Sequence, residues 1–93
     1  MMFRRMFYGA ESFNQLLDKW DTRNVTDMSW MFYGATSFNQ PLPLNIENVK
    51  DMRFMFKKAK SFKQKLCWNT NNVINMSNIF SGSKGKIREP VEE

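Results

Sequence analysis

Trp30 and Phe54 stand 24 positions apart, with Lys50, Arg53, Lys57 and Lys58 gathered around the second of them. An aromatic face edged by cations suits recognition: rings stack on planar or apolar groups, while ammonium and guanidinium groups hold carboxylate, sulfate or phosphate. Such a face fits a protein partner, an acidic glycan or nucleic acid. Residues for making and breaking bonds are scarce by comparison. The chain has no histidine and a single cysteine, Cys67, which leaves no His-activated nucleophile, no Cys/His zinc site and no internal disulfide. There is also no Gly-rich phosphate loop and no recurring carboxylate pair. The expectation is a non-catalytic chain with no cofactor and no metal.

What must position these residues is a repeat. Met31-Phe32-Tyr33-Gly34-Ala35-Thr36-Ser37-Phe38-Asn39-Gln40 copies Met6-Phe7-Tyr8-Gly9-Ala10-Glu11-Ser12-Phe13-Asn14-Gln15, and Met55-Phe56-Lys57-Lys58-Ala59-Lys60-Ser61-Phe62-Lys63-Gln64 keeps the frame. A fourth start fades at Ile79-Phe80-Ser81-Gly82-Ser83. A fixed period of this length means one supersecondary unit stacked on copies of itself, each too small to bury its apolar face alone. The units run at about 1–23, 24–47, 48–71 and a partial 72–83, followed by a charged tail at 84–93 whose acidic ending is expected to fray.

Within a unit, Asn-Val-x-[Asp/Asn]-Met opens each copy at Asn24, Asn48 and Asn72. Asparagine followed by a polar acceptor three residues on is close to a capping box. Val25, Met28, Phe32 and Ala35 then recur at i, i+3, i+7 and i+10, with Met31 alongside, and Gly34, like Gly9 and Gly82, suits a left-handed helix end. The spacing predicts short helices at 25–33, 49–57 and 73–81. Leu42, Leu44 and Ile46 alternate with Pro43 and Asn45, and Leu66, Trp68 and Thr70 with Cys67 and Asn69, which predicts an extended strand in each unit. Pro43 is awkward there because it cannot donate to a ladder. The first unit has one extra residue at Asp18-Lys19, which predicts a bulge. The resulting fold class is α/β: a short parallel solenoid of about three and a half repeats, with one strand and one helix per repeat.

On that helix the repeated apolar residues Met28, Met31, Phe32, Met52, Met55, Phe56, Met76 and Phe80 form the packed stripe. Trp30 and Phe54 lie about 160° away, facing outward. Their counterparts in the outer units are polar, Arg5 and Asn78. Two plainer readings compete with a contact site: another segment covers the two rings, or the lysines keep an open stack soluble.

Charge is unevenly placed. Residues 1–49 hold four basic and five acidic side chains, whereas residues 50–88 hold ten basic ones against Asp51 alone. A second reading follows, in which the 50–65 region binds nucleic acid or another polyanion without sequence preference. No run approaches the roughly 18 consecutive apolar residues of a membrane helix, so no membrane insertion is expected. The first ten residues lack the apolar core and cleavage site of a secretory signal. They already belong to a unit that has no polar cap before it, so either end-to-end self-association or flanking repeats of a longer array are expected.

Written out as Asn-Val-x-x-Met-x-x-Met-Phe-x-x-Ala-x-Ser-Phe-x-Gln-x-Leu-x-x-Trp-[Asp/Asn]-x-x-Asn-Val, the unit resembles the BspA-like bacterial surface-protein repeat over residues 3 to 83. The resemblance implies a leucine-rich-repeat-like solenoid of cell-surface, lipoprotein and adhesion-type proteins, with no catalytic site of its own. Trp30 and Phe54 depart from it, standing where that family shows a small polar residue. The functional expectation is a binding or scaffold module that mediates protein–protein interaction through Trp30, Phe54, Lys50, Arg53, Lys57 and Lys58.

Overall fold

A computed structural model describes residues 1–88. Backbone hydrogen bonding decides the architecture. Were residues 25–33 helical, the Phe32 N–H would donate to the Met28 carbonyl; it donates instead to Met55 O, one unit later, at 2.8 Å. Alternate N–H groups repeat the choice. Met28, Trp30, Phe32 and Gly34 donate to Asp51, Arg53, Met55 and Lys57, while Met31, Tyr33 and Ala35 donate three residues back to Met28, Trp30 and Phe32. Each unit is thus a flight of tight turns whose N–H groups bond alternately within the unit and to its neighbour. From residue 28 to 35 and from 52 to 59 every backbone N–H has a partner, as a buried backbone requires.

The expected helices at 25–33, 49–57 and 73–81 are therefore absent, and the α/β solenoid with one helix per repeat is not the fold of this chain. The described residues contain no helix and two short strands, β1 (Lys65–Leu66) and β2 (Lys86–Ile87), paired in parallel. Isolated parallel bridges also join Met2 to Asp27, Asp27 to Asp51 and Asp51 to Asn75. The apolar i, i+3, i+4 spacing that mimics a helix comes from four-residue turns laid end to end, Met28 to Met31 and Phe32 to Ala35. Each has a left-handed third residue, Trp30 (φ 61°) and Gly34 (φ 68°), the mark of a type II turn. Two such residues per unit would break any helix in its middle.

Side chains complete the ladder. Phe7, Phe32, Phe56 and Phe80 stack across units at 5.3, 5.5 and 5.4 Å between centroids. Phe13, Phe38 and Phe62 form a second column at 5.7 and 5.8 Å. Within a unit the columns touch at 4.1 to 4.2 Å. This double column is the heart of the core, where Val25, Met28, Phe32, Phe38 and Leu42 are all buried. Met76, expected in the packed stripe, is exposed at the end of the stack, and Phe80 is half-buried.

The asparagines at the head of each unit cap no helix. Asn48 Nδ2 donates to Arg23 O at 2.6 Å and Asn72 Nδ2 to Glu47 O at 3.2 Å, each one unit back. The acceptors three residues on serve short turns instead: Asp27, Asp51 and Asn75 each accept the N–H two residues ahead. A further polar column runs through Asn14 and Asn39, whose Oδ1 atoms accept the N–H groups of Asn39 and Lys63. Asp21 is held by the neighbouring Arg23, and its carboxyl is lowered below its ordinary value by that side-chain hydrogen bond.

Extended segments complete each unit. Leu42, Leu44 and Ile46 are buried and Pro41, Pro43 and Asn45 exposed, as the alternation predicts, yet only residues 65–66 of the third unit form strand pairing. Prolines at 41 and 43 remove two donors from the second unit. The Trp68 indole donates to Leu42 O at 3.1 Å across the gap. The extra residue of the first unit is absorbed in a turn closed by Trp20 N–H to Leu17 O.

The fourth unit does not end at residue 83. Lys84, Lys86 and Arg88 donate to Phe62, Gln64 and Leu66, so residues 84–88 are part of the ladder rather than a charged tail; the expected frayed ending at 89–93 lies outside the described residues. Gly85 makes this closure possible, because a Cβ there would meet the Phe62 ring at 2.5 Å and the Phe80 ring at 2.9 Å. Backbone lies flat where a further stacked phenylalanine would stand.

Candidate recognition face

The left-handed positions build a surface. In a type II turn the third residue is normally Gly or Asn, because a Cβ is disfavoured there. One outer unit conforms with Asn78, whereas the other carries Arg5 (φ 59°) and the central units Trp30 (φ 61°) and Phe54 (φ 56°). Bulky rings at such a position are conformational outliers costing on the order of 1 kcal/mol or more each. Register then brings them together. The Trp30 N–H donates to Arg53 O, which sets Phe54 beside Trp30 one unit on, with ring centroids 4.3 Å apart and planes inclined 31°.

Two tyrosines enlarge the pair. Tyr33 lies 5.2 Å from Trp30 and stacks on Tyr8 at 4.8 Å and 14°, and Tyr8 lies 6.3 Å from Trp30. The cluster is four rings drawn from three units. Trp30, Tyr33 and Phe54 are half-buried and Tyr8 is exposed. Three cations sit on it: the Arg5 guanidinium at 5.7 Å from the Tyr8 centroid and 5.8 Å from Trp30, Lys57 Nζ at 5.1 Å from Phe54, and Lys58 Nζ at 5.7 Å from Tyr33. Each cation–π contact at an exposed site contributes about 0.5–1 kcal/mol.

The six residues named from sequence divide accordingly. Trp30, Phe54, Lys57 and Lys58 meet in the cluster, Lys58 over Tyr33 rather than Phe54. Arg53 turns to Asp51, its Nε 3.2 Å from Oδ2. Lys50 has an exposed side chain, and its backbone bonds to Thr26 and Ile74. Helical phase, which put Lys50 and Arg53 beside the rings, does not apply to a run of turns. Tyr8, Tyr33 and Arg5 were missed, although the repeated Met-Phe-Tyr-Gly places an aromatic three residues after Arg5 and Trp30.

Chemically, this face can stack on apolar or planar groups and hold an anion beside them. It is an open surface. Two hollows lie elsewhere, one of about 350 Å³ between residues 41–44 and 65–68 and one of about 330 Å³ between 44–47 and 67–72. No group of three or more metal-ligating side chains occurs among the described residues, and no helix is long and apolar enough to cross a membrane.

A family model described as Mycoplasma protein of unknown function, DUF285, matches residues 1–91. No curated protein and no solved structure matches the chain.

Proposed function

The chain belongs to the DUF285 family, and we propose that it is a non-catalytic binding or scaffold module whose aromatic, cation-edged face receives another protein through an acidic segment. One observation carries this reading: bulky rings occupy left-handed positions at Trp30 and Phe54 where the same fold uses Arg5 and Asn78. The ladder does not require aromatic groups there, and strain kept at a surface position points to a use outside the fold. Desolvated aromatic and arginine side chains are the usual anchors of protein interfaces. The BspA-like resemblance of the repeat supports the same role, in a surface or adhesion-type protein.

A second reading has its own observation. Lys65 and Lys86 are register partners in the β1–β2 pair, both exposed, and Lys63, Lys84 and Arg88 are exposed around them. Like charges directly opposite one another destabilise a strand pair, and a polyanion laid along them would remove that repulsion. This reading assigns nucleic acid or another polyanion to the β1–β2 face rather than to the rings.

Titration with polyglutamate, heparin and a mixed oligonucleotide at two salt concentrations separates the two. For the first reading, Lys57→Ser/Lys58→Ser weakens polyglutamate binding several-fold and Lys65→Ser/Lys86→Ser leaves it unchanged. The polyanion reading expects the reverse, with oligonucleotide affinity falling steeply with salt, by a log–log slope of roughly 0.7 per phosphate contacted on a single strand.

A further inference from the structure

The cations of the recognition face lie on both sides of its rings and have no acid of their own. Arg5, Lys57 and Lys58 form no ion pair among the described residues, whereas Arg23 and Arg53 are paired with Asp21 and Asp51. Arg5 and Lys58 are exposed and Lys57 is half-buried. Arg5 comes from the first unit and the two lysines from the third. The second unit, between them, brings only rings, Trp30 and Tyr33.

The ladder fixes this order. Arg5, Trp30 and Phe54 follow one another because the Arg5 N–H donates to Ser29 O and the Trp30 N–H to Arg53 O. Tyr8, Tyr33 and Lys57 form a parallel column, set by Gly9 N–H on Tyr33 O and Gly34 N–H on Lys57 O. Along the stack the face therefore runs cation, ring, ring, cation. The Arg5 guanidinium is 5.8 Å from the Trp30 ring, that ring is 4.3 Å from Phe54, and Phe54 is 5.1 Å from Lys57 Nζ; these steps laid end to end bound the separation of the two cations. Further units stacked before or after these would lengthen the columns, not cover them.

Building on the reading that an acidic segment of another protein binds here, we propose that the segment lies extended along the stack and carries two carboxylates with an aromatic residue midway between them. One carboxylate meets Arg5, the aromatic side chain covers Trp30 and Tyr33, and the other carboxylate meets Lys57 and Lys58. Charge complementarity commits the occupant to this pattern. The cations at either end call for anions, while the faces of the rings between them carry negative potential and favour another ring's edge over a carboxylate. In an extended chain residues i, i+2 and i+4 point the same way and span about 13 Å, which fits within the bound set by the three contacts.

The test titrates the full chain by NMR with two capped peptides of one composition. Gly-Ser-Glu-Ser-Trp-Ser-Glu-Ser-Gly places an acid on each side of the ring, and its isomer Gly-Glu-Glu-Ser-Trp-Ser-Ser-Ser-Gly places both on one side. The first should bind about tenfold more tightly, the factor that one hydrogen bond to a charged group supplies. Arg5→Asn, which matches the equivalent Asn78, should bring the first peptide down to the isomer's affinity. Lys57→Ser/Lys58→Ser should erase the preference from the other end, and Lys65→Ser/Lys86→Ser on the β1–β2 face should leave it intact. Equal affinity of the two peptides would overturn the two-ended arrangement while keeping the acidic-partner reading; failure of both to bind would overturn the two together. A preference that survives Arg5→Asn, or one lost in Lys65→Ser/Lys86→Ser, would place the contact elsewhere and overturn the proposal as well.

Discussion

The Trp30 and Phe54 rings touch at 4.3 Å between centroids, and both stand on backbone turned into the left-handed region. The two facts have one origin. The third position of the first turn in each unit is left-handed throughout, at Arg5, Trp30, Phe54 and Asn78, and the ladder sets these positions one above another. Whatever side chains occupy them form a column on the outside. In the central units that column is aromatic, at a conformational cost the outer units reduce in one case by using asparagine.

Replacing Trp30 by asparagine, the residue found at the equivalent Asn78, should relieve strain. We expect Trp30→Asn to hold or raise stability, by up to about 1 kcal/mol, since asparagine accepts this backbone conformation more readily. Urea denaturation measures it. A loss of more than about 1 kcal/mol would mean that the indole packing outweighs the strain.

Lys58 stands where the other units have Gly9, Gly34 and Gly82, at φ 62°. Lys58→Gly should stabilise the chain by roughly 0.5–1 kcal/mol, because the left-handed penalty of about 1–2 kcal/mol exceeds the chain-entropy cost of glycine. The same change removes the ammonium from Tyr33 and should weaken binding of an acidic ligand. Opposite movement of stability and affinity is the expected signature.

Phe38 is fully buried between Phe13 and Phe62 in the second aromatic column. Phe38→Ala should cost about 3–5 kcal/mol, a large share of a small domain's stability. A thermal midpoint equal to the wild type would remove Phe38 from the core.

Asp21 titrates below its ordinary value because Arg23 donates to it. A carboxylate whose folded value is depressed contributes stability that is present above the unfolded value, near 3.9, and is lost as pH falls through the lower folded value. Carboxyl NMR should show a midpoint below 3.8, rising toward the ordinary value in Arg23→Ala, which removes the guanidinium but keeps the backbone N–H bond of residue 23.

The repeat, the core and the adjacency of Trp30 and Phe54 are legible in the sequence because they depend on recurrence alone. Identical residues at fixed offsets must stack whatever the backbone does between them, so Val25, Met28, Phe32 and Phe38 are buried in either architecture. The backbone itself is not legible from apolar spacing, since consecutive four-residue turns place Met28, Met31, Phe32 and Ala35 much as a helix would. The discriminating signal is conformational. Asn78 and Gly82 sit third in Met76-Ser77-Asn78-Ile79 and Phe80-Ser81-Gly82-Ser83, as type II turns demand, and a helix has no reason for two such positions four residues apart. The helical phase that groups Lys50 and Arg53 with the rings has no counterpart in a run of turns, where Arg53 pairs with Asp51 and Lys50 is exposed.

The most direct measurement compares the wild type with Trp30→Ser/Phe54→Ser for thermal stability and for polyglutamate affinity. As a recognition face, the rings can be removed with the melting temperature within a few degrees of the wild type, since surface changes are usually within about 0.5 kcal/mol each, while affinity falls at least tenfold. A double mutant that stays folded and binds undiminished, or one that unfolds, would contradict the account.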